Sequence, residues 1–171
     1  MITLAVLGFE GAVVRRAADA TSAPIALRGV AATLAELRRR GVRVALVGEG
    51  GAHDVARALA AMGWAASAGA AAGPVLFDAV VAADEVLAPP PAPFAVHHAM
   101  ESTGTLDVRQ VLVAGDSLAL LEAGRAAGAG WVIGVLSGAA RRPELEGGPH
   151  DAILSDVNDL IALAVPAAPA R

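Results

Sequence analysis

Three apolar runs in this sequence end on residues able to do chemistry. Val111–Ala114 runs into Gly115-Asp116-Ser117, Ile2–Leu7 into Gly8-Phe9-Glu10-Gly11, and Val42–Val47 into Gly48-Glu49-Gly50-Gly51. Such runs read as buried strands. A helical pattern follows Ser117 at once, with Leu118, Leu121 and Glu122 leading to Gly124. Ligands of open α/β sheets sit outside the carboxyl ends of the strands. Asp116 is therefore placed either to hold a metal cation or to cap the helix behind it. Glu10 is a candidate catalytic acid or base. His53, in the first turn of a helix that begins at Ala52, is the best candidate base, although a surface histidine is the simpler assignment. Backbone N–H groups of Gly48–Gly51 can form an anion nest, but Glu49 within it repels phosphate. The expected ligand pocket comprises Gly8, Phe9, Glu10, Gly48, Glu49, Gly50, Asp116 and Ser117.

Other polar residues are weaker candidates. His97 and His98 are adjacent on a helix and point apart, His150 is in a loop, and no histidine pair has i, i+4 spacing. Asp84 and Glu85 follow the third strand and read as solvated more readily than as pocket-lining. Arg38, Arg39 and Arg40 end a helix, where cations are favoured by its dipole. Gly124–Gly130 (GRAAGAG) ends a helix rather than opening one, so it is not a dinucleotide fingerprint.

These residues need a scaffold, and strand and helix alternate along the chain to supply one. Expected strands are Ile2–Leu7, Val42–Val47, Phe77–Ala82, Val111–Ala114, Trp131–Leu136 and Ala152–Leu154. Expected helices are Gly29–Arg40, Ala52–Met62, Pro93–Thr103, the one after Ser117, and Val157–Ala164. Val13–Leu27 reads as a loop, Ala65–Gly73 as a flexible connection, and Pro89-Pro90-Pro91 as a rigid extended loop. The pattern implies a parallel sheet with helices on both faces, one core domain over 1–165 and a disordered tail over 166–171.

Composition excludes several classes. The 171 residues contain neither cysteine nor lysine, and the net charge of −4 argues against nucleic acid. The opening MITLAVLG lacks a basic leader, and no apolar run reaches the roughly 18 residues of a membrane span. A cytoplasmic location without membrane contact is expected. Hydrophobic residues make up 56% and charged residues 18%, which leaves apolar surface to cover, so a homodimer is expected.

The run Pro91–Ala139, PAPFAVHHAMESTGTLDVRQVLVAGDSLALLEAGRAAGAGWVIGVLSGA, resembles the phosphonatase-like branch of the haloacid dehalogenase (HAD) superfamily. Leu27–Val47 and Leu4–Val14 continue the likeness. The resemblance implies a Rossmann-like three-layer sandwich with a mostly parallel sheet of five to six strands. It also implies an active site built from four motifs at the strands' carboxyl ends. Carried over by position, the nucleophilic Asp of the first motif falls on Gly8, with Glu10 at the next acidic or alanine position, Gly11 retained and Ala12 for Thr. The Ser or Thr of the second motif falls on Gly48. The lysine of the third falls near Pro89 or Pro90. The fourth, G-D-T-x-x-D, puts Asp116 at a metal-ligand position and Leu120 at the second acid.

The branch's helical cap is also missing: about fourteen residues separate Val14 from Gly29, whereas a helical hairpin needs roughly 25. The expectation is a capless HAD-fold protein that has lost phosphohydrolase activity and serves as a non-catalytic interaction or scaffold protein. A second copy or another protein is expected to cover the open sheet edge. Two alternatives stand beside it: a residual Mg²⁺-dependent phosphohydrolase using Glu10 and Asp116, and a small-molecule or acid/base pocket at the same edge. No cofactor is expected, and Mg²⁺ at Asp116 only weakly.

Overall fold

The computed structural model describes residues 1–15, 24–66 and 74–164. Continuous apolar runs become strands β1 (Leu4–Gly8), β2 (Arg43–Val47), β3 (Ala79–Val81), β4 (Val111–Gly115), β5 (Trp131–Val135) and β6 (Ala152–Leu154). They form one sheet in the order β6-β5-β4-β1-β2-β3, with every pairing parallel. Between them lie helices α1 (Val30–Arg39), α2 (Ala52–Ala61), α3 (Phe94–Thr103), α4 (Leu118–Ala127), α5 (Arg142–Glu146) and α6 (Leu160–Ala164).

Successive strand residues point to opposite faces, and both faces are covered. Leu7 of β1, Leu46 of β2 and Leu112 of β4 pack with Leu34 and Leu37 of α1, Val55 of α2 and Leu160 of α6. Val6, Ala45 and Val113 pack on the other face with Val96 of α3, Leu120 and Leu121 of α4 and Leu145 of α5. The fold is thus a Rossmann-like three-layer α/β sandwich. The chain steps from β1 to β2 and β3, then returns to the far side of β1 as β4. Strand order therefore reverses between β1 and β4, where a crevice opens at the carboxyl ends.

Several expected boundaries are corrected. The third strand is broken: Val75–Phe77 pairs in parallel with Ala65–Ala66, and only Ala79–Val81 joins the main sheet. Asp78 makes the break. Its N–H donates to Val44 O at 2.6 Å, and its carboxylate accepts Val44 N at 2.8 Å and Arg38 Nη2 at 2.9 Å. Arg38 also donates to the Val75 carbonyl, so it fastens α1 to the sheet beyond any dipole effect. Arg39 and Arg40 both pair with Glu36. Hydrogen bonds from Arg39 and then Arg40 lower the Glu36 carboxyl from 4.5 to about 2.

The expected loop after Val13 is partly ordered: Phe9–Val13 forms a wide turn in which Glu10 and Gly11 are not helical, and Val14–Arg15 pairs antiparallel with Ile25–Ala26. Nine residues, 16–24, lie between those paired strands. The short α5 was not expected, because five residues carry little periodicity. Val157–Asp159 is a 3₁₀ turn ahead of α6. Residues 67–73 of the expected flexible connection and the expected tail 166–171 lie outside the described residues. Among the described residues, no helix is long and apolar enough to cross a membrane.

The glycine-rich run Gly124–Gly130 has a packing explanation. A Cβ at Gly124 would lie 2.9 Å from Val113 Cβ, so the glycine lets α4 sit close on β4. One at Gly130 would lie 2.0 Å from the Arg109 carbonyl oxygen.

Candidate functional site

At the switch point the ends of β1 and β4 meet through glycines. A Cβ on Gly8 would lie 3.7 Å from Gly115 Cα and 3.1 Å from Leu120 Cδ2. One on Gly115 would lie 2.6 Å from the same Leu120 carbon. Leu120, in the first turn of α4, is buried at 4% exposure and fills the space over both strand ends. The β2 corner repeats the arrangement, since a Cβ on Gly48 would lie 2.5 Å from Val55 Cγ2 on α2. Each glycine stands against an apolar side chain that uses its missing volume, as expected of a close-packed interior.

Asp116 is the exception. It is 4% exposed, and its Oδ2 accepts the Ala139 N–H at 3.0 Å. Its carboxylate lies between Gly11 and Gly138, where an added Cβ would come within 2.2 Å and 1.9 Å of it. Gly11 has φ +85°, so glycine is needed there for conformation as well as for space. Ser137 Oγ donates to Gly11 O at 2.8 Å and ties the loop after β5 to the turn after β1. The α4 cap is Ser117, whose Oγ accepts from Leu120 N at 3.4 Å. Asp116 does not cap α4; it joins three strand ends.

The expected anion nest is used from within. Glu10, half-buried, accepts the Glu49 N–H on Oε2 at 3.1 Å. Asp84 Oδ1 accepts the Ala52 N–H at the start of α2 at 2.8 Å. Glu85 Oε2 accepts Ala82 N–H at 2.7 Å. Asp84 and Glu85 are therefore engaged with backbone, and neither lines the cleft.

The cleft has a volume of about 150 Å³ and is lined by Gly8, Glu10, Val47, Gly48, Glu49, Ala83, Pro89, Pro90, Asp116, Ser117, Ala119 and Leu120. The structure thus gathers Gly8, Glu10, Gly48, Glu49, Asp116 and Ser117, together with the two prolines at the expected lysine position. Phe9 does not join them; it is 2% exposed in the core. Gly50 lies outside too, its carbonyl accepting Ala83 N–H at 3.0 Å. His53 is exposed on α2 and does not reach the cleft. His97 and His98 line a separate groove with Leu87 and Phe94, and His150 Nδ1 lies 3.0 Å from the Gly148 carbonyl oxygen. Sequence reasoning missed Ala83, Ala119 and Val55, which carry no chemistry and give no signal beyond apolar character.

The donor set does not suit the Mg²⁺ of a HAD phosphohydrolase. Gly8 and Leu120 supply no side-chain oxygen, and Glu10 Oε2 is engaged at Glu49 N–H. Among the described residues, no group of three or more His, Cys, Asp or Glu side chains could hold a metal ion.

An open parallel sheet with its crevice at the β1/β4 reversal, and a Gly-Asp-Ser corner beside it, defines a Rossmann-like α/β protein with the HAD layout. A family model for haloacid dehalogenase-like hydrolases matches residues 6–128, and the chain belongs to that family. Solved structures agree on the fold. A protein assigned as a haloacid dehalogenase-like hydrolase from Bacteroides fragilis superposes with TM-score 0.76 at 15% identity, covering 94% of this chain and 100% of that one. D,D-heptose 1,7-bisphosphate phosphatase from B. bronchiseptica, complexed with magnesium and phosphate, gives 0.71 at 19% over 92% and 94%. A phosphonoacetaldehyde hydrolase-like protein from Oleispira antarctica gives 0.69 at 19%, over 81% of this chain and 55% of that one. The chain likewise spans only 54% to 61% of several other matched chains. No curated protein matches the chain by sequence.

Proposed function

We propose that this chain is a HAD-fold protein without phosphohydrolase activity, acting by binding rather than by turnover. The observation that carries this reading is Gly8, the nucleophile position, with the space beside it taken up by Leu120. Phosphoryl transfer in this family needs a carboxylate nucleophile and positive charge on the transferring oxygens. Gly8 offers no nucleophile, and a chain without lysine offers no third-motif cation. Gly48 lacks the hydroxyl that would bind the phosphoryl group, and the adjacent Glu49 amide already serves Glu10. An assay with a generic phosphate monoester and Mg²⁺ tests the reading, with no turnover expected.

Placement in the phosphonatase-like branch, without its cap, is supported by the Pro91–Ala139 words and by the short span of residues 16–24. A cytoplasmic location is part of the same proposal. So is a protein partner, of which a second copy is the simplest. The exposed Leu87, at 89%, and the half-covered Phe94 on the segment leading away from the cleft support an interaction surface there. Light scattering at micromolar concentration is expected to give about twice the 17.0 kDa of one chain; a monomer mass contradicts the dimer.

A second reading, a small-molecule pocket, is favoured by one observation: the cleft keeps about 150 Å³ after Leu120 and Val55 are in place.

A further inference from the structure

We infer that the cleft between the β1 and β4 ends takes a small organic amine, its ammonium group on Asp116 Oδ1 and its apolar body against Leu120, Ala119 and Pro90. This rests on the reading that the phosphoryl site has been lost, and it names the ligand class that the altered site suits.

Asp116 supplies the anchor. It is 96% buried, since 4% remains exposed, and only Oδ2 is engaged, at Ala139 N–H. No donor among the described residues reaches Oδ1. Every sealed side-chain N or O atom among those residues has a partner, so Oδ1 is not sealed; it opens on the cleft that Asp116 lines. A buried carboxylate oxygen facing a cavity calls for a hydrogen-bond donor, and a cationic donor makes the stronger bond.

The rest of the cleft selects against anions and bare ions. The Glu49 N–H, which would greet a phosphate, already serves Glu10. No Arg, Lys or His is among the described residues that line the cleft. A carboxylate or phosphate ligand would bring like charge against Asp116. A lone metal ion would leave the walls of Val47, Ala83, Pro90 and Leu120 without apolar cover. The volume sets the size, since a cavity of about 150 Å³ holds a ligand of roughly six heavy atoms, as benzene shows.

The probe is n-butylammonium chloride, followed through the backbone amide NMR spectrum of the whole chain, with n-butyrate and inorganic phosphate as matched anions. Saturable shifts are expected at the amides of Gly115–Leu120 and of Gly48 and Glu49, with neither anion producing them. Asp116→Asn keeps an acceptor for Ala139 and should weaken binding by about tenfold or more. Ala119→Leu, at a half-buried helix position, should block the cleft and abolish the shifts while sparing the spectrum elsewhere; it decides alone if the Asp116 variant does not fold. The proposal is overturned if butylammonium gives no saturable shifts at these amides, if either variant binds it as the parent does, or if an anion binds in its place. Phosphate-ester turnover, assayed separately without amine, tests the underlying reading. Absent turnover with absent amine binding removes only this inference, whereas turnover removes the reading beneath it.

Discussion

The β1 and β4 corners lie side by side at one end of the sheet, yet they treat the family's two carboxylate positions differently. At the β1 corner the proposed alignment puts Gly8 where the family has a carboxylate, and a Cβ there would meet Leu120. At the β4 corner Asp116 remains, hydrogen-bonded to Ala139 N–H and enclosed by Gly11 and Gly138. On the proposed reading, a nucleophile without a structural partner has nothing to retain it once turnover is not needed. Asp116 has a second task, because its carboxylate joins the β4 corner to the loop after β5 and packs on the turn after β1. Removing a buried partner leaves an amide unsatisfied, which has a cost independent of catalysis. The difference teaches that a surviving catalytic-type residue in a degenerate site is evidence of chemistry only after its architectural work has been subtracted.

The sharpest way to break this comparison is Leu120→Asp, which restores the family's second fourth-motif acid. A carboxylate here would be buried among Gly8, Gly115 and the apolar face of the sheet, and a Leu-sized contact would be lost. We expect a loss of about 3–5 kcal/mol of unfolding free energy in urea. A loss under 1 kcal/mol would mean that the β1 corner is not held by apolar filling.

A smaller effect sharpens the other half. Asp116→Ala removes the acceptor of Ala139 N–H and should cost about 1–3 kcal/mol, whereas Asp116→Asn keeps an acceptor and should cost less than about 1 kcal/mol. Equal costs for the two, measured by the same denaturation, would remove the architectural role.

The smallest effect lies at the opposite end of the sheet, where charge is kept on the surface of α1. Glu36 is held at about 2 by hydrogen bonds from Arg39 and then Arg40. Its folded value lies below the unfolded one, so its stabilising contribution is present above about 4.5 and is lost as pH falls through about 2. Carboxyl NMR titration should give a midpoint near 2 for Glu36; an ordinary glutamate midpoint would show that these arginines are not held in place.

Much of this layout was legible in the sequence. The strands announced themselves because parallel strands covered on both faces must be apolar throughout, as in Leu4–Gly8 and Val111–Gly115. The corner positions Gly8, Gly48 and Asp116 followed from their place at the ends of those runs. The break at Asp78 was not visible, because one acid within an apolar stretch gives no sign that a distant arginine and a neighbouring strand will satisfy it. Nor was the filling of the site. Leu120 could be named as a lost acid, but that its side chain lies over Gly8, or that Val55 closes on Gly48, depends on which helix face meets which strand end. For the same reason the sequence does not decide between metal and cap for Asp116: its partner, Ala139, lies one βα unit further along the chain.

The central claim is that this HAD-fold chain does not hydrolyse phosphate esters, and phosphatase turnover tests it most directly. Purified protein with millimolar Mg²⁺ and a generic phosphate monoester should release phosphate at the rate of a no-enzyme blank, and Asp116→Asn should leave that rate unchanged. Release above the blank that vanishes in Asp116→Asn, in a preparation shown to be folded, would contradict the account and assign Asp116 to catalysis.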